Sequence, residues 1–264
     1  MPRRPTFPDR ESIPSFPAFS TGVDPATDFI IRAGITDNTQ KNAIITLVSN
    51  LVSAGLWGKM FALYPYVGGT AGSHAVNLIN SSYTISWTGG VTHDANGITG
   101  NGTTGFGNTG LNPSVIGLTG GLTYYCRGLP LGDNNVCGVN NATDNFILNL
   151  NITAGNKAGH WGLANAAASA TAPAVGMYSV SRLSSTSLAL YFNGSSIATN
   201  VTSTNVTPAA VPFYVLARNN NGTASSFSEQ NDALHAFHQG LTAGETSSLY
   251  TAVQAFQTTL GRQV

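Results

Sequence analysis

The sequence predicts a mainly β protein: an antiparallel β-sandwich with an N-terminal extended arm, a short helical segment and a C-terminal helix. Three observations carry this. From residue 67 onward short apolar runs recur at near-regular spacing, some alternating strictly, as Tyr83, Ile85 and Trp87 do with Thr84 and Ser86. Gly-Gly and Asn-Gly pairs separate these runs, as at Thr88-Gly89-Gly90 and Phe192-Asn193-Gly194, where tight hairpin turns require glycine or asparagine. Helical periodicity occurs only near the two ends. Many short strands between turns are the mark of a sandwich.

The elements follow in order. Residues 1–36 read as an arm. Six of the 12 prolines fall there, and each fixes its own φ and pushes its predecessor toward extended backbone. Phe7, Ile13, Phe16 and Phe19 interleave with Arg3, Arg4 and Arg10. This is either a tail that happens to contain phenylalanine or an anchor that lays its apolar residues in a partner's groove. Residues 37–66 form the helical segment, capped by Thr36 or Asp37. Ile44, Leu47, Val48, Leu51 and Val52 make a stripe at i, i+3, i+4, i+7 and i+8, and Gly55 suits the stop. Residues 56–63 read as a further helical turn before Pro65. The stripe packs on the main domain or on sister helices of an oligomer. In the latter case Ile44, Leu47, Val48 and Leu51 are the oligomer contacts.

The sandwich spans 67–264. Its strands are expected at 122–127, 135–139, 145–152, 177–182, 188–192, 196–200 and 212–218. The closing helix, 242–261, begins with a Thr242-to-Glu245 capping box and carries Leu249, Val253, Phe256 and Leu260 on one face.

Composition excludes several functions. Only 8% of the 264 residues are charged, against about 25% in ordinary domains, and the net charge is zero. No basic face exists to release counterions from nucleic acid, and no apolar run reaches the roughly 18 residues of a membrane span. The N-terminus lacks the apolar stretch of a secretion signal. Of the 22 charges, 9 lie in residues 1–37, which leaves 13 for the other 227 residues. Amides and hydroxyls must keep the body in solution.

Catalytic chemistry is sparse. Gly-Asn-Gly-Thr-Thr-Gly at 100–105 matches a nucleotide-binding motif by letter but lacks the strand-to-helix context. Glu229 and Asp232 are the only close acidic pair in the body, too little for a glycosidase dyad. His235 and His238, three apart, would face opposite sides of a strand and so favour packing over shared ligation. Asp133, Asn134, Asn135 and Asp144 offer hard oxygen ligands for calcium, but a simple turn explains them better. No cofactor or metal is expected. Cys126 and Cys137 are expected as two reduced, buried thiols. Trp87 and Tyr191 read as core residues. His160-Trp161, in a glycine-flanked stretch, is the candidate exposed surface for stacking on a glycan.

The run Tyr178–Arg182, then Leu188–Phe192 and the Asn193-Gly194 turn, resembles the central hairpin of laminin-G/concanavalin A-like sandwiches. Pro212–Arg218 and Ala233–Gly240, followed by Leu241-Thr242 and Glu245, continue that order. The C-terminal piece 249–262 and the stretch 51–68 are similar to structural proteins of tailed bacteriophages. The resemblance implies a concanavalin A-like jelly roll and a non-enzymatic virion component: a capsid decoration, head fibre or tail-fibre/receptor-binding subunit. Its arm would dock on other virion proteins, as a homo-oligomer with a trimer among the options, in particles assembled in the host cytoplasm. The Glu-x-Asp-x-x-Glu strand of the family's glucanases is absent. The alternative function is a lectin module that recognises host surface glycans.

Overall fold

The computed structural model describes residues 23–130, 135–141, 145–151, 154–162, 166–201 and 206–264. Arg3, Arg4, Phe7, Arg10, Ile13, Phe16 and Phe19 lie outside the described residues, as do Asp133, Asn134 and Asp144. The helices are α1 (Pro25–Arg32), α2 (Asn38–Ser53), the short α3 (Ala71–His74) and α4 (Pro113–Ile116), and α5 (Ala243–Thr259). The strands are β1 (Met60–Tyr64), β2 (Ser86–Thr88), β3 (Thr92–Asp94), β4 (Gly97–Thr99), β5 (Phe106–Asn108), β6 (Gly120–Gly128), β7 (Asn135–Asn140), β8 (Asn145–Asn151) and β9 (Asn156–Gly162). They continue as β10 (Ala167–Ser169), β11 (Gly176–Ser184), β12 (Ser187–Phe192), β13 (Ser195–Asn200), β14 (Tyr214–Val215), β15 (Ala217–Asn220), β16 (Thr223–Ser225) and β17 (Asn231–Gln239).

These strands build two sheets. Sheet A runs β13-β12-β11-β6-β17-β4-β3, with β1 also on β17. Sheet B runs β10-β9-β8-β7-β14-β5-β2, with β15 also on β7 and β16 on β15. Pairing is antiparallel except between β15 and β7. The expected mainly β, antiparallel sandwich is therefore the architecture found. The turn Asn193-Gly194 has φ of 46° and 76°, the left-handed pair that a two-residue hairpin between β12 and β13 demands.

Sheet A is buried on both faces, and this decides where a site can be. Leu122, Tyr124 and Cys126 of β6 alternate with Thr123 and Tyr125. The first set joins Phe146, Leu148 and Trp161 of sheet B in the inter-sheet core. On the other face Tyr125, Met177, Leu234 and Ala236 pack against Phe29, Ile44, Leu47, Leu51, Val253 and Phe256 of the helices. The layers are thus helices, sheet A and sheet B.

The helical stripe is consequently internal. Ile44, Leu47 and Leu51 are fully buried and Val48 nearly so within a single chain. The expectation that they serve oligomer packing is corrected: at roughly 1.5–3 kcal/mol per buried side chain, their burial is used to hold α2 on sheet A. Asp37, rather than Thr36, caps α2 by accepting from the Gln40 N–H.

Two other expectations change. Pro25–Arg32 is helical, not extended, because Pro25 occupies the first helical position, where its missing N–H costs nothing, and Asp24 accepts from the Thr27 N–H. Of residues 56–63, the expected second helical turn, only Trp57–Lys59 turn, as a 3-10 helix. After it, Met60–Tyr64 form a strand of sheet A.

The C-terminal helix has the expected capping box, with Thr242 Oγ1 accepting from the Glu245 N–H and Glu245 accepting from the Thr242 N–H. Cys126 and Cys137 are free and buried, one in each sheet, and burial pushes both thiols well above the ordinary range.

Candidate functional site

The histidine–tryptophan pair is split by strand geometry. Both residues belong to β9, where neighbours face opposite sides. Trp161 points into the core. It is 1% exposed, its indole N–H donates to the Gly117 carbonyl at 3.0 Å, and its ring packs edge-on to Phe146 and stacked with Phe213. It cannot stack on a glycan, and that expectation is corrected. The flanking glycines serve the sheet instead: a Cβ on Gly159 would sit 2.7 Å from Val180 of the opposing sheet.

His160 faces outward, half-buried, on the outer face of sheet B. Opposite it in register is Ile147, and Ile147 is opposite Gly138 on its other side. Tyr214 and Arg218 each register with Gly138 from the far edge of β7, and Tyr214 with Asn108 of β5. Asn149 stands diagonal to His160, because it registers with Ala158. The strands of sheet B contain nine asparagines and no aspartate or glutamate. At one end Phe106 stacks obliquely on Tyr214 with ring centroids 4.6 Å apart, and Phe227 lies 6.2 Å from Phe106. Phe106 and Phe227 are partly exposed.

Two polar atoms on this face lack partners. Asn149 Oδ1 and His160 Nδ1 are enclosed and make no hydrogen bond among the described residues. Each such group costs about 1–3 kcal/mol when left unpaired. Burial lowers the His160 pKa and keeps its ring neutral, so one ring nitrogen is an acceptor.

The acids and the other histidines lie elsewhere. Glu229 is in a loop and partly exposed. Asp232 is in β17, fully buried, its carboxyl pushed well above the usual carboxylate range by desolvation. Gln230 donates to it, and its other oxygen is 3.7 Å from His235 Nε2. His235 Nδ1 is in turn 3.0 Å from the Tyr66 hydroxyl. This chain of groups sits between the sheets without access to a substrate. His238, on the opposite face of β17 as its spacing requires, lies 2.9 Å from Thr123 Oγ1 beneath the helices. His74 and His93 pair through their Nδ1 atoms at 3.1 Å. Among the described residues no three metal-ligating side chains converge, and no helix is long and apolar enough to cross a membrane.

No protein-family model and no curated protein matches the sequence. Solved structures do resemble the fold. Domain 4 of an extracellular GH43 arabinanase from Geobacillus stearothermophilus, in complex with arabinotriose, matches with TM-score 0.55 and 13% identity, over 72% of this chain and 98% of that one. A mutant Trypanosoma rangeli sialidase displaying trans-sialidase activity matches with TM-score 0.54 and 13% identity, over 82% of this chain and 39% of that one. The receptor binding domain of botulinum neurotoxin C/D mosaic serotype matches with TM-score 0.53 and 10% identity, over 74% of this chain and 51% of that one. The chain spans less than two thirds of the latter two. At these identities the likeness is one of fold.

Proposed function

We propose that the chain is a non-catalytic glycan-binding module whose ligand lies on the outer face of sheet B. The observation that carries this reading is the pair Asn149 Oδ1 and His160 Nδ1. They are diagonal neighbours on the outer face of sheet B and make no hydrogen bond among the described residues. Both atoms are enclosed in the unliganded chain, so the two side chains turn outward to meet sugar hydroxyls, which donate to Asn149 Oδ1 and pair with His160 Nδ1 as donor or acceptor, removing the cost of leaving them unpaired. The surrounding asparagine amides offer both donors and acceptors, and the Phe106–Tyr214–Phe227 cluster offers apolar surface for a sugar ring. The arabinotriose held by the arabinanase domain supports a glycan on this fold. A non-enzymatic role is supported by the placement of Asp232, which is sealed in the core and cannot act with Glu229 as an acid pair.

A glycan array probed with wild type and with Asn149→Ala and His160→Ala tests this. Wild type is expected to retain at least one polysaccharide class, and each variant to weaken that binding about tenfold, the loss of one hydrogen bond of roughly 1.4 kcal/mol, at a melting temperature that does not fall. Wild type binding no glycan would overturn the reading.

A second reading is compatible with the first: a structural component of a tailed-phage virion, oligomeric and anchored to other virion proteins by the N-terminal arm. The exterior favours it. Of the 13 charges in the body, Lys157, Arg182, Asp232 and Arg262 are buried, so the described surface is poorer in charge than the composition suggests. Uncharged polar groups cost less to desolvate in close subunit contacts than ions do. Deleting residues 1–22 should abolish incorporation into particles while the sandwich stays folded; continued incorporation would refute it.

A further inference from the structure

We infer that the glycan held on sheet B is acidic, with its carboxylate on Arg218; this rests on the glycan reading above and narrows it. Sheet B carries two cations in its strands. Lys157 is buried, and its ammonium donates to the Thr171 and Ala172 carbonyls and the Thr171 hydroxyl. Arg218 is half-buried, and among the described residues its side chain makes one hydrogen bond, a long 3.4 Å contact from Nε to Ser225 Oγ. No carboxylate pairs with it among the described residues; Asp28 and Glu245 are taken by Arg32 and Lys59. The planar fork of Nη1 and Nη2 is therefore available, and that fork matches a carboxylate in bidentate fashion.

Its position joins it to the rest of the face. Arg218, Gly138, Ile147 and His160 form one row across β15, β7, β8 and β9. At about 4.8 Å per strand spacing the row is roughly 14 Å long. Gly138 places no side chain between Arg218 and Ile147, and none would fit, since a Cβ there would lie 2.8 Å from the Ile147 Cα. Arg218 and His160 are partly exposed at the two ends of the row and Ile147 is covered between them, so a ligand would pass over Ile147 from the guanidinium to the Asn149–His160 pair. Because these strands carry no acid, nothing on them competes for the guanidinium or repels an anion.

The test measures wild type, Arg218→Gln and Arg218→Lys against oligogalacturonate and sialyllactose, and against their neutral counterparts, carboxyl-reduced oligogalacturonate and lactose. Wild type should bind at least one acidic member at least tenfold tighter than its neutral counterpart, with the preference shrinking as salt is raised. Arg218→Gln should remove the preference and leave binding at the neutral level. Arg218→Lys, which keeps the charge without the fork, should retain part of it. Equal binding of acidic and neutral members by wild type, or a preference that survives in Arg218→Gln, would overturn this inference and leave the glycan reading standing. Binding of no member, together with a blank glycan array, would overturn both.

Discussion

Acidification from pH 7 to pH 4.5 is expected to unfold the protein cooperatively. His74, His235 and His238 are buried as neutral rings, with pKa values lowered by desolvation to about 3, about 3 and about 4. A folded-state pKa below the unfolded one gives stability that is present above pH 6.5 and is lost as pH falls toward the folded value. At pH 4.5, two units below the ordinary histidine value, each ring forfeits up to about 2.7 kcal/mol at 1.36 kcal/mol per unit. Three together approach about 8 kcal/mol, comparable with the 5–15 kcal/mol that holds a typical domain. Asp232 opposes them. Its folded pKa is raised by desolvation, so it costs stability near neutral pH, and that cost falls away in acid. It is one group against three, so the net slope stays positive with pH. Near-ultraviolet circular dichroism should show a transition centred above pH 4 with uptake of two to three protons, and His235→Gln should move it to lower pH. A stability that is flat from pH 7 to pH 4 would show that these rings do not carry the acid sensitivity.

Arg262→Ala should be nearly as damaging. Arg262 is 2% exposed and has no carboxylate partner among the described residues; burial and the charge of Arg127 lower its pKa to about 9. Its Nε donates to Gln257 Oε1, Nη1 to the Tyr66 and Ala95 carbonyls, and Nη2 to the Pro65 and Ala233 carbonyls, at 2.6–3.3 Å. One side chain thus ties the end of α5 to the segment after β1, the turn between β3 and β4, and β17. Removing it leaves four carbonyls and an amide unpaired in a dry environment, at about 1–3 kcal/mol for each that water cannot reach. A loss of at least about 3 kcal/mol is expected, a fall in melting temperature of roughly 10 °C for a chain of this size. Arg262→Lys should recover only part, because an ammonium has three donors where the guanidinium has five. A loss under about 1 kcal/mol for Arg262→Ala would contradict this role.

Local chemistry made much of the fold legible. The strands that include Tyr124, Ile147, Val180 and Leu190, the Asn193-Gly194 turn, the stripe of α2 and the Thr242–Glu245 box all announce themselves within a few residues. So does the opposite facing of His235 and His238. Where local signals were overruled, a specific competitor won. Proline density argued for an extended arm through residue 36, yet Pro25 starts a helix. Met60–Tyr64 has no period because a strand with helices on one face and a second sheet on the other is apolar throughout. His160-Trp161 looked like a loop because of its glycines, but those glycines admit the opposing sheet, and the alternation they permit buries Trp161.

The candidate face was half legible. His160 was found. Asn149, Phe106, Tyr214, Phe227 and Arg218 were not, because they come from separate strands and a loop spread over more than 120 residues, and only long-range pairing brings them together. A signal was present nonetheless: none of the nine strands that became sheet B contains a carboxylate.

The most direct test of the glycan face is amide hydrogen exchange of the full chain with and without the best glycan from the array. Binding on the outer face of sheet B predicts added protection in β7, β8, β9 and β15, with the helices and sheet A unchanged. Protection confined to the helical layer, or none at a saturating glycan concentration, would contradict it.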